Sequence, residues 1–512
     1  MIITNSKQRR LGVVLQYIQI GMNILIQLIY VPIMLRILGD NEYGIYNIAS
    51  SIISYLSLIS LGLGASYIRY YSIYKRNGND DKIKNLNGMY LSVFIIIGLV
   101  ALILGLVLSN NLSLFFNDTY SDNDLKIAHI LMIFLSINLA ISFPASVFIS
   151  YITSQERFIW QKIINMATTI LSPALNIVLL YCGLGSIGMV AITTSVSILV
   201  MFANMWFCFK KLNMKISFKE FDWSLLKDIF VFSAFIAINQ IIDLINYQTD
   251  KIILGKLTTG TIVAIYAVGA HINTMFTELS TTISSVFAPK VNRIVQQNEK
   301  DMDDQLTTLF IKVGRIQWLL LSLVLTGFIF FGKYFISRWA GDGYEDAYYI
   351  ALLLIIPAIV PLSQNIGIEI QRAKNKHQFR SLVYLIMALI NIGLTIWFVS
   401  IWGGIGAALG TSISIVIANC IIMNIYYQKK LGINVCNFWK SILLSSISFI
   451  IPIVFGTCLM KFYSFHNLLD FGVLIIVYTF IYLLSVYFLG FNKEEKNIIK
   501  NFLKKIKIRK SI

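Results

Sequence analysis

The sequence predicts an all-α polytopic membrane protein with about 14 transmembrane helices, and three observations support that prediction. Hydrophobic residues make up 57% of the 512 residues and charged residues only 13%, whereas about a quarter of the residues of soluble domains are charged. The mean hydropathy is +0.73. The apolar residues fall in runs of about 20, the length that crosses a bilayer as a helix. A soluble globular enzyme is therefore excluded.

The net charge is +17, from 42 Lys and Arg against 25 Asp and Glu, but it does not indicate a nucleic-acid partner. Proteins that bind nucleic acid cluster basic residues on a folded soluble face. Here the basic residues lie between apolar runs. They are better explained as topology signals, because cytoplasmic loops of membrane proteins are rich in Lys and Arg.

Fourteen candidate spans alternate with polar breaks along the chain. They lie near residues 11–37, 44–66, 88–109, 126–150, 159–181, 186–209, 229–250, 263–287, 312–332, 347–370, 380–400, 404–427, 441–460 and 469–490. With the N-terminus inside, the cytoplasmic segments hold 35 of the 42 Lys and Arg residues and the outer segments hold 7. Because one span more or less would invert every later loop, this bias favours fourteen spans with both termini in the cytoplasm.

The first twelve spans contain an internal repeat with an offset of about 216 residues. The repeat aligns Asn23 with Asn239, Pro144 with Pro361, and Gly185–Gly188 with Gly403–Gly406. The offset covers six spans, an even number, so both halves have the same orientation and are related by an axis along the membrane normal. We therefore expect two six-helix lobes around a central cavity.

Five regions follow from the spans and the repeat. They are an N-terminal lobe (1–209), a cytoplasmic linker (210–228), a C-terminal lobe (229–428), transmembrane helices 13 and 14 (429–490) and a tail (491–512). The tail alternates apolar and basic residues as an amphipathic helix on anionic lipid would. The alternative is a stop-transfer tail without a further role.

Polar residues occupy one face of each of the repeat-related spans 1 and 7. Span 1 carries Gln16, Gln19, Asn23 and Gln27, and span 7 carries Asn239, Asp243 and Asn246, followed by Asp250. Spacings of three and four residues place each set on one helix face. Since a hydrophilic lumen requires such stripes, we expect these residues to line the lumen and contact the substrate.

Apart from the acidic residues assigned to the cytoplasmic and outer segments, three remain for the spans, namely Asp243, Glu278 and Glu369. A charge at the bilayer centre costs roughly 2.5 to 3.5 kcal/mol, so such a residue faces a cavity or a partner. Asp243, and Glu278 with His271 seven residues before it, are candidates for proton or cation coupling, because His titrates near neutrality. The alternative is a structural hydrogen bond between spans 7 and 8. Glu369 is expected to pair locally with Arg372.

Mechanical and chemical motifs complete the prediction. Pro144 and Pro361 occupy equivalent repeat positions and are candidate hinges, because a missing backbone donor loosens a helix; static kinks are the alternative.

The five cysteines form no C-x-x-C pair, which leaves no predicted metal site. The chain has no Walker loop, no H-E-x-x-H and no nucleophile elbow. We therefore predict a transporter that is not an enzyme and uses no cofactor.

The end of span 1, from Val31 to Tyr46, has the sequence V-P-I-M-L-R-I-L-G-D-N-E-Y-G-I-Y. It resembles the P-x-x-x-R-x-L-G-x-x-x-Y-G-x-Y signature of bacterial polysaccharide flippases, called Wzx-type, of the multidrug/oligosaccharidyl-lipid/polysaccharide exporter superfamily. The stretches from Gln155 to Phe158 and from Arg338 to Tyr344 are similar to the same family. The resemblance extends over essentially the whole chain.

The resemblance implies a flippase of the bacterial cytoplasmic membrane. Such a protein moves an undecaprenyl-pyrophosphate-linked oligosaccharide to the outer leaflet by alternating access, for assembly of O-antigen, capsule or a similar surface polysaccharide. The implied partners are that lipid-linked oligosaccharide, membrane lipid and a glycan polymerase or glycosyltransferases, with the flippase itself a monomer. A cation-coupled multidrug exporter and a lipid II flippase are the alternatives.

A pyrophosphate-bearing substrate favours arginine, which binds phosphate oxygens in a bidentate manner. The candidates are Arg36, Arg69 and Arg315, which we expect to line the lumen. None lies securely at mid-depth, and that departs from the arginine-lined cavity of lipid II flippases. The alternative for each is a side chain that snorkels to the membrane interface.

Overall fold

The computed structural model of the chain is built from α-helices. It describes residues 5–60, 62–219, 221–297, 299–463, 465 and 467–497, and no residue in these ranges forms a strand. Eleven helical segments of the described chain are long and apolar enough to cross a membrane. The predicted all-α polytopic fold is thus confirmed. Most of the predicted amphipathic tail, residues 498–512, lies outside the described ranges.

Seventeen α-helices follow one another along these residues. The first nine are α1 (Asn5–Leu38), α2 (Asp40–Leu56), α3 (Leu63–Arg76), α4 (Asp80–Ser109), α5 (Asp122–Ser154), α6 (Phe158–Tyr181), α7 (Gly185–Trp206), α8 (Trp223–Leu257) and α9 (Gly260–Gln297). The others are α10 (Met302–Trp339), α11 (Glu345–Ser363), α12 (Ile366–Ala373), α13 (Gln378–Ile415), α14 (Asn424–Lys430), α15 (Val435–Ser446), α16 (Ile450–Phe462) and α17 (Leu468–Ser485).

Helix breaks explain part of the difference between eleven apolar segments and fourteen predicted spans. The predicted span 44–66 falls on α2 and α3, which a short 3₁₀ turn at Ser57–Ser60 separates. The predicted spans 380–400 and 404–427 together form the apolar segment Gln378–Lys430. Gly403 interrupts that segment with φ 53° and ψ −128°, a conformation open mainly to glycine. The count of fourteen stays a prediction.

Local backbone geometry recurs at a spacing of 219 residues, which supports the internal repeat. Glu156, after α5, has φ 56°, and Asn375, after α12, has φ 53°. Both are unusual values for residues other than glycine. In each turn, the amide of the next residue donates to the carbonyl five residues before it, at 3.1 and 2.8 Å.

Two aromatic stacks share the same spacing. The rings of Trp160 and Phe207 stack with centroids 4.2 Å apart. The rings of Phe379 and Tyr426, each 219 residues further along the chain, stack at 4.3 Å. The repeat is therefore visible both in turns and in side-chain packing.

One compact unit comprises Met1–Val268, Trp339–Gly341 and Ala388–Gly410. Its apolar core lies where α3, α4 and α5 meet, and it includes a ladder of buried rings from Tyr67, Tyr90 and Phe94. Helix α8 belongs to this unit because it packs on α2 and α3. The predicted lobe boundary at 210–228 thus lies inside the unit, and the two predicted lobes stay a prediction.

The second compact unit comprises Gly269–Arg338, Asp342–Met387 and Thr411–Ile512. Within it, α15 to α17 pack along α10. A Cβ built on Gly314 of α10 would lie 2.5 Å from a ring carbon of Phe438 on α15, so these helices approach closely. Further along α10, the hydroxyl of Tyr482 on α17 donates to the carbonyl of Leu319 at 2.7 Å.

Candidate functional site

The predicted polar residues Gln19, Asn23 and Gln27 lie on α1 with half-buried side chains. Nε2 of Gln27 donates to Oδ1 of Asn23 at 3.1 Å, one helical turn away. Gln19 lies one turn further, and its buried Oε1 has no hydrogen-bond partner among the described residues. The side chain of Gln16 lies outside that description. Because these amides follow one face of an otherwise apolar helix, α1 offers hydrogen-bonding groups for a polar ligand.

The second predicted stripe lies on α8. The side chain of Asp243 is exposed and that of Asn246 is half-buried. The side chain of Asn239 lies outside the described residues. Asp243 also contacts another polar or charged group of the protein. An accessible carboxylate within a long apolar helix is costly in a membrane, which keeps Asp243 a candidate for substrate or cation binding.

Asp250, at the end of the same stripe, is a buried acidic residue that is not among the predicted coupling residues. Its side chain is 1% exposed. Tyr266 of α9 donates to its Oδ2 at 2.5 Å, and Thr395 of α13 donates to its Oδ1 at 3.1 Å. Asn391 lies one turn before Thr395 and is equally buried. A carboxylate excluded from water needs such donors, a proton or a cation to stabilise it.

Asp250 is the last residue of predicted span 7 and adjoins Lys251, and it is not among the three acidic residues singled out within the spans. A signal for its role was present, because Asp250 lies four residues after Asn246 and continues the polar face. The spacing of Asn391 and Thr395 is also four residues. What the sequence could not supply was the contact between these two helices.

Hydroxyl and amide groups join α8 to α2 and α3. Ser51 of α2 donates to Oε1 of Gln248 at 2.9 Å, and Tyr55 hydrogen-bonds the hydroxyl of Thr249. Polar pairs of this kind hold membrane helices together where lipid offers no competing partner. They place the polar face of α8 at a fixed position against the first helices of the chain.

The sequence motif at the end of α1 forms a tight turn. Gly39 separates α1 from α2 with φ 75°. Oε1 of Glu42 then accepts a hydrogen bond from the backbone amide of Ser186, in the first turn of α7, at 2.6 Å. A carboxylate there is favourable because the amides of the first helical turn lack partners within the helix. Gly44 lies against the backbone of Gly260, where no side chain fits. The motif residues Glu42 and Gly44 thus have structural contacts.

Arg36 and Arg69 both have exposed side chains. The guanidinium of Arg69 lies 5.9 Å from the ring centroid of Tyr70, within the range of a cation–π contact. Arg36 lies in the last turn of α1. Both remain accessible to an anionic ligand, and their contact with substrate stays a proposal.

Arg315 has a different environment from the predicted lumen. Its side chain is 7% exposed, and it forms an ion pair with Glu495 at 2.9 Å. Its remaining donors reach Ser441 and Gly490. Because the guanidinium is fully engaged with the protein, we exclude Arg315 from the residues proposed to contact substrate. Its partner is 180 residues away in sequence, so no local pattern could indicate the pair.

His271 and Glu278 lie on α9 in the second unit, with half-buried side chains. Their spacing of seven residues corresponds to two helical turns, so both occupy one face. Each contacts another polar or charged group of the protein. Coupling by this pair stays a proposal. Glu369 forms the expected local pair with Arg372, at 2.9 Å.

The two candidate hinge prolines differ in how far their helices continue after the proline. Pro144 lies inside α5, which continues to Ser154. Pro361 lies inside α11, which ends two residues later at Ser363. The chain thus bends close to Pro361, whereas α5 continues past Pro144 for nearly three turns. Hinge motion at either position stays a proposal.

Among the described residues, no group of three or more His, Cys, Asp or Glu side chains could hold a metal ion. The hydroxyls of Tyr266 and Thr395 donate hydrogen bonds to Asp250, and the adjacent Lys251 interacts electrostatically with the same carboxylate. The hydroxyls suit a proton or a weakly bound monovalent cation better than a transition metal.

Comparison with known proteins agrees with the motif. Residues 12–295 match the polysaccharide biosynthesis protein family. EpsK of Bacillus subtilis (strain 168), an uncharacterized membrane protein, is 24% identical over 93% of this chain and 94% of its own length. A Shigella flexneri protein provisionally named an O-antigen transporter is 20% identical over 76% of this chain and 91% of its own length.

Solved structures share the fold. The inward closed conformation of the lipid II flippase MurJ superposes with a TM-score of 0.68 at 16% identity, over 93% of this chain and 97% of that one. An inward-facing multidrug resistance MATE transporter superposes with a TM-score of 0.63 at 14% identity, over 82% of this chain and 96% of that one. At these identities the likeness concerns the fold.

Proposed function

The chain belongs to the polysaccharide biosynthesis protein family, and from that premise we propose that it is a flippase for a lipid-linked oligosaccharide. The proposed substrate is an undecaprenyl-pyrophosphate-linked glycan that moves from the cytoplasmic to the outer leaflet by alternating access. The glycan would enter a surface polysaccharide such as O-antigen or capsule. The observation that carries the proposal is the family match over more than half of the chain, joined to the fold of a lipid flippase.

The polar faces of α1 and α8 supply groups suited to this substrate. Amides such as those of Asn23, Gln27 and Asn246 both donate and accept, as sugar hydroxyls require. The exposed guanidinium groups of Arg36 and Arg69 suit pyrophosphate oxygens. These residues would bind the headgroup, while the isoprenoid tail stays in the lipid.

Transport against a gradient needs a group that changes its charge or its ligand between states. We propose Asp250 as a coupling residue, since a buried carboxylate is stabilised by taking up a proton or a monovalent cation. Asp243 and the pair His271 and Glu278 are further candidates. A bond-making reaction is not part of the proposal.

Mass spectrometry of lipid-linked sugars in a deletion strain, with staining of its surface glycan, tests the proposal. We expect an undecaprenyl-pyrophosphate oligosaccharide to accumulate and the surface glycan to disappear, with both effects reversed by the wild-type gene. Unchanged glycan and lipid-linked sugars would contradict the flippase. Unchanged glycan with raised sensitivity to cationic dyes would favour the drug exporter, which the MATE-like fold also allows.

A further inference from the structure

The guanidinium group of Arg315 joins α10 to α15 and to the segment that follows α17. Its Nε and Nη2 donate to the two carboxylate oxygens of Glu495 at 3.0 and 2.9 Å. Its Nη1 donates to the carbonyl and the hydroxyl of Ser441 on α15, both at 3.0 Å. Its Nη2 also donates to the carbonyl of Gly490, after α17, at 2.8 Å. We call Arg315, Glu495, Ser441 and Gly490 the clamp.

Glu495 is held in place independently of Arg315. The amide of Asn492 donates to Oε2 of Glu495 at 2.8 Å, and the amide of Glu495 donates to Oδ1 of Asn492 at 2.8 Å. This reciprocal pattern is a capping box, which fixes the side chain at the start of a helical turn. The carboxylate is therefore preorganised to receive the bidentate guanidinium.

A second ion pair beside the clamp offers a matched comparison. Lys312 lies one turn before Arg315 and approaches Glu494 at 3.4 Å, with side chains 39% and 77% exposed. Both side chains of the clamp pair are 7% exposed. Exposed pairs contribute little, whereas removal of one partner of a buried pair leaves an uncompensated charge.

We propose that Arg315 and Glu495 are positioning residues, and that their clamp makes α15 to α17 and α10 one rigid body that stays closed throughout transport. The contacts along α10 agree with this assignment. Nε1 of Trp318 donates to Ser446 of α15 at 2.9 Å, one turn beyond Arg315. The inference goes beyond the proposed function, because it concerns which helices move together and is independent of the substrate.

Glu495→Gln and Glu494→Gln differ by one position and give the first test. We expect Glu495→Gln to lower the melting temperature of the full chain in detergent and to reduce surface glycan in the complemented deletion strain. Glu494→Gln should leave both at the wild-type level. Equal behaviour of the two variants in both measurements would overturn the proposal. The melting temperature does not depend on the substrate, so this outcome is distinct from failure of the flippase assignment.

A reversible cross-link tests whether the clamp stays closed. Lys312→Cys and Glu494→Cys are introduced after Cys182, Cys436 and Cys458 are replaced by Ser, and the pair is joined with a bifunctional methanethiosulfonate reagent. We expect the linked protein to sustain transport at the unlinked rate and to restore transport to Glu495→Gln. Inhibition that a reducing agent reverses would show that the clamp opens in each cycle, and would overturn the proposal.

Discussion

Gly44 on α2 lies so close to Gly260 at the start of α9 that a Cβ on Gly44 would be 1.9 Å from the carbonyl oxygen of Gly260. Real Cβ atoms do not approach backbone oxygen at this distance. The two segments therefore touch backbone to backbone, and the Y-G pair of the sequence motif has a steric reason. The contact lies within one compact unit of the fold.

Gly44→Ala should destabilise the protein, because the added methyl group must push α2 away from Gly260. Overpacking of this kind costs about 1 to 3 kcal/mol. We expect a lower melting temperature for the purified protein in detergent. Gly21→Ala is the matched control, since nothing lies within 4 Å of its added methyl group. A melting temperature of Gly44→Ala equal to that of this control would argue against the close contact.

Asp250→Asn should abolish surface glycan while the protein stays in the membrane. The amide keeps the size of the carboxylate but cannot take up a proton or carry a negative charge, so coupling is lost. Immunoblots of membranes and glycan staining of the complemented deletion strain measure both quantities. Asp228→Asn changes an exposed acidic residue near the start of the same helix and should leave glycan at the wild-type level. Full glycan in Asp250→Asn would remove Asp250 as the coupling group.

Asp243→Ala and Glu278→Ala test the two candidates named from the sequence. A carboxylate within an apolar helix is costly and is therefore expected to have a function. We expect its removal in each variant to abolish surface glycan at unchanged protein level. Glycan staining and membrane immunoblots again provide the measurement. Wild-type glycan in both variants would remove Asp243 and Glu278 as coupling candidates and leave Asp250.

Arg36→Lys and Arg69→Lys should retain part of the activity that the corresponding Gln variants lose. Lysine keeps the positive charge but not the bidentate geometry that suits a pyrophosphate. Loss of a charged hydrogen bond corresponds to roughly tenfold or more in binding, and the accumulated lipid-linked precursor reports it. Arg76→Gln, at the exposed end of α3, is the control. A precursor level in the Gln variants equal to that of Arg76→Gln would exclude both arginines from the site.

The helical membrane fold could be predicted because apolar runs and basic loops are properties of the local sequence. The number of spans was harder to predict. Hydropathy does not show that the helix stops at Leu56 and restarts at Leu63, whereas the break at Gly403 falls between the two predicted spans 380–400 and 404–427. Such breaks depend on backbone conformation at single residues.

The candidate site could be predicted only in part. Helical periodicity indicated the polar faces of α1 and α8, because residues three and four apart share a face. The surroundings of Asp250 and Arg315 depend on partners more than 100 residues away, Thr395 for the first and Glu495 for the second. Only the packed structure shows that Asp250 is buried and that Arg315 is already bound within the protein.

The aromatic stacks of Trp160 on Phe207 and of Phe379 on Tyr426 close within the first and the second copy of the repeat. Neither stack needs a residue from the other copy. Each stack is therefore a self-contained contact within its own copy. Substitution of one ring is expected to disturb the packing of that copy alone.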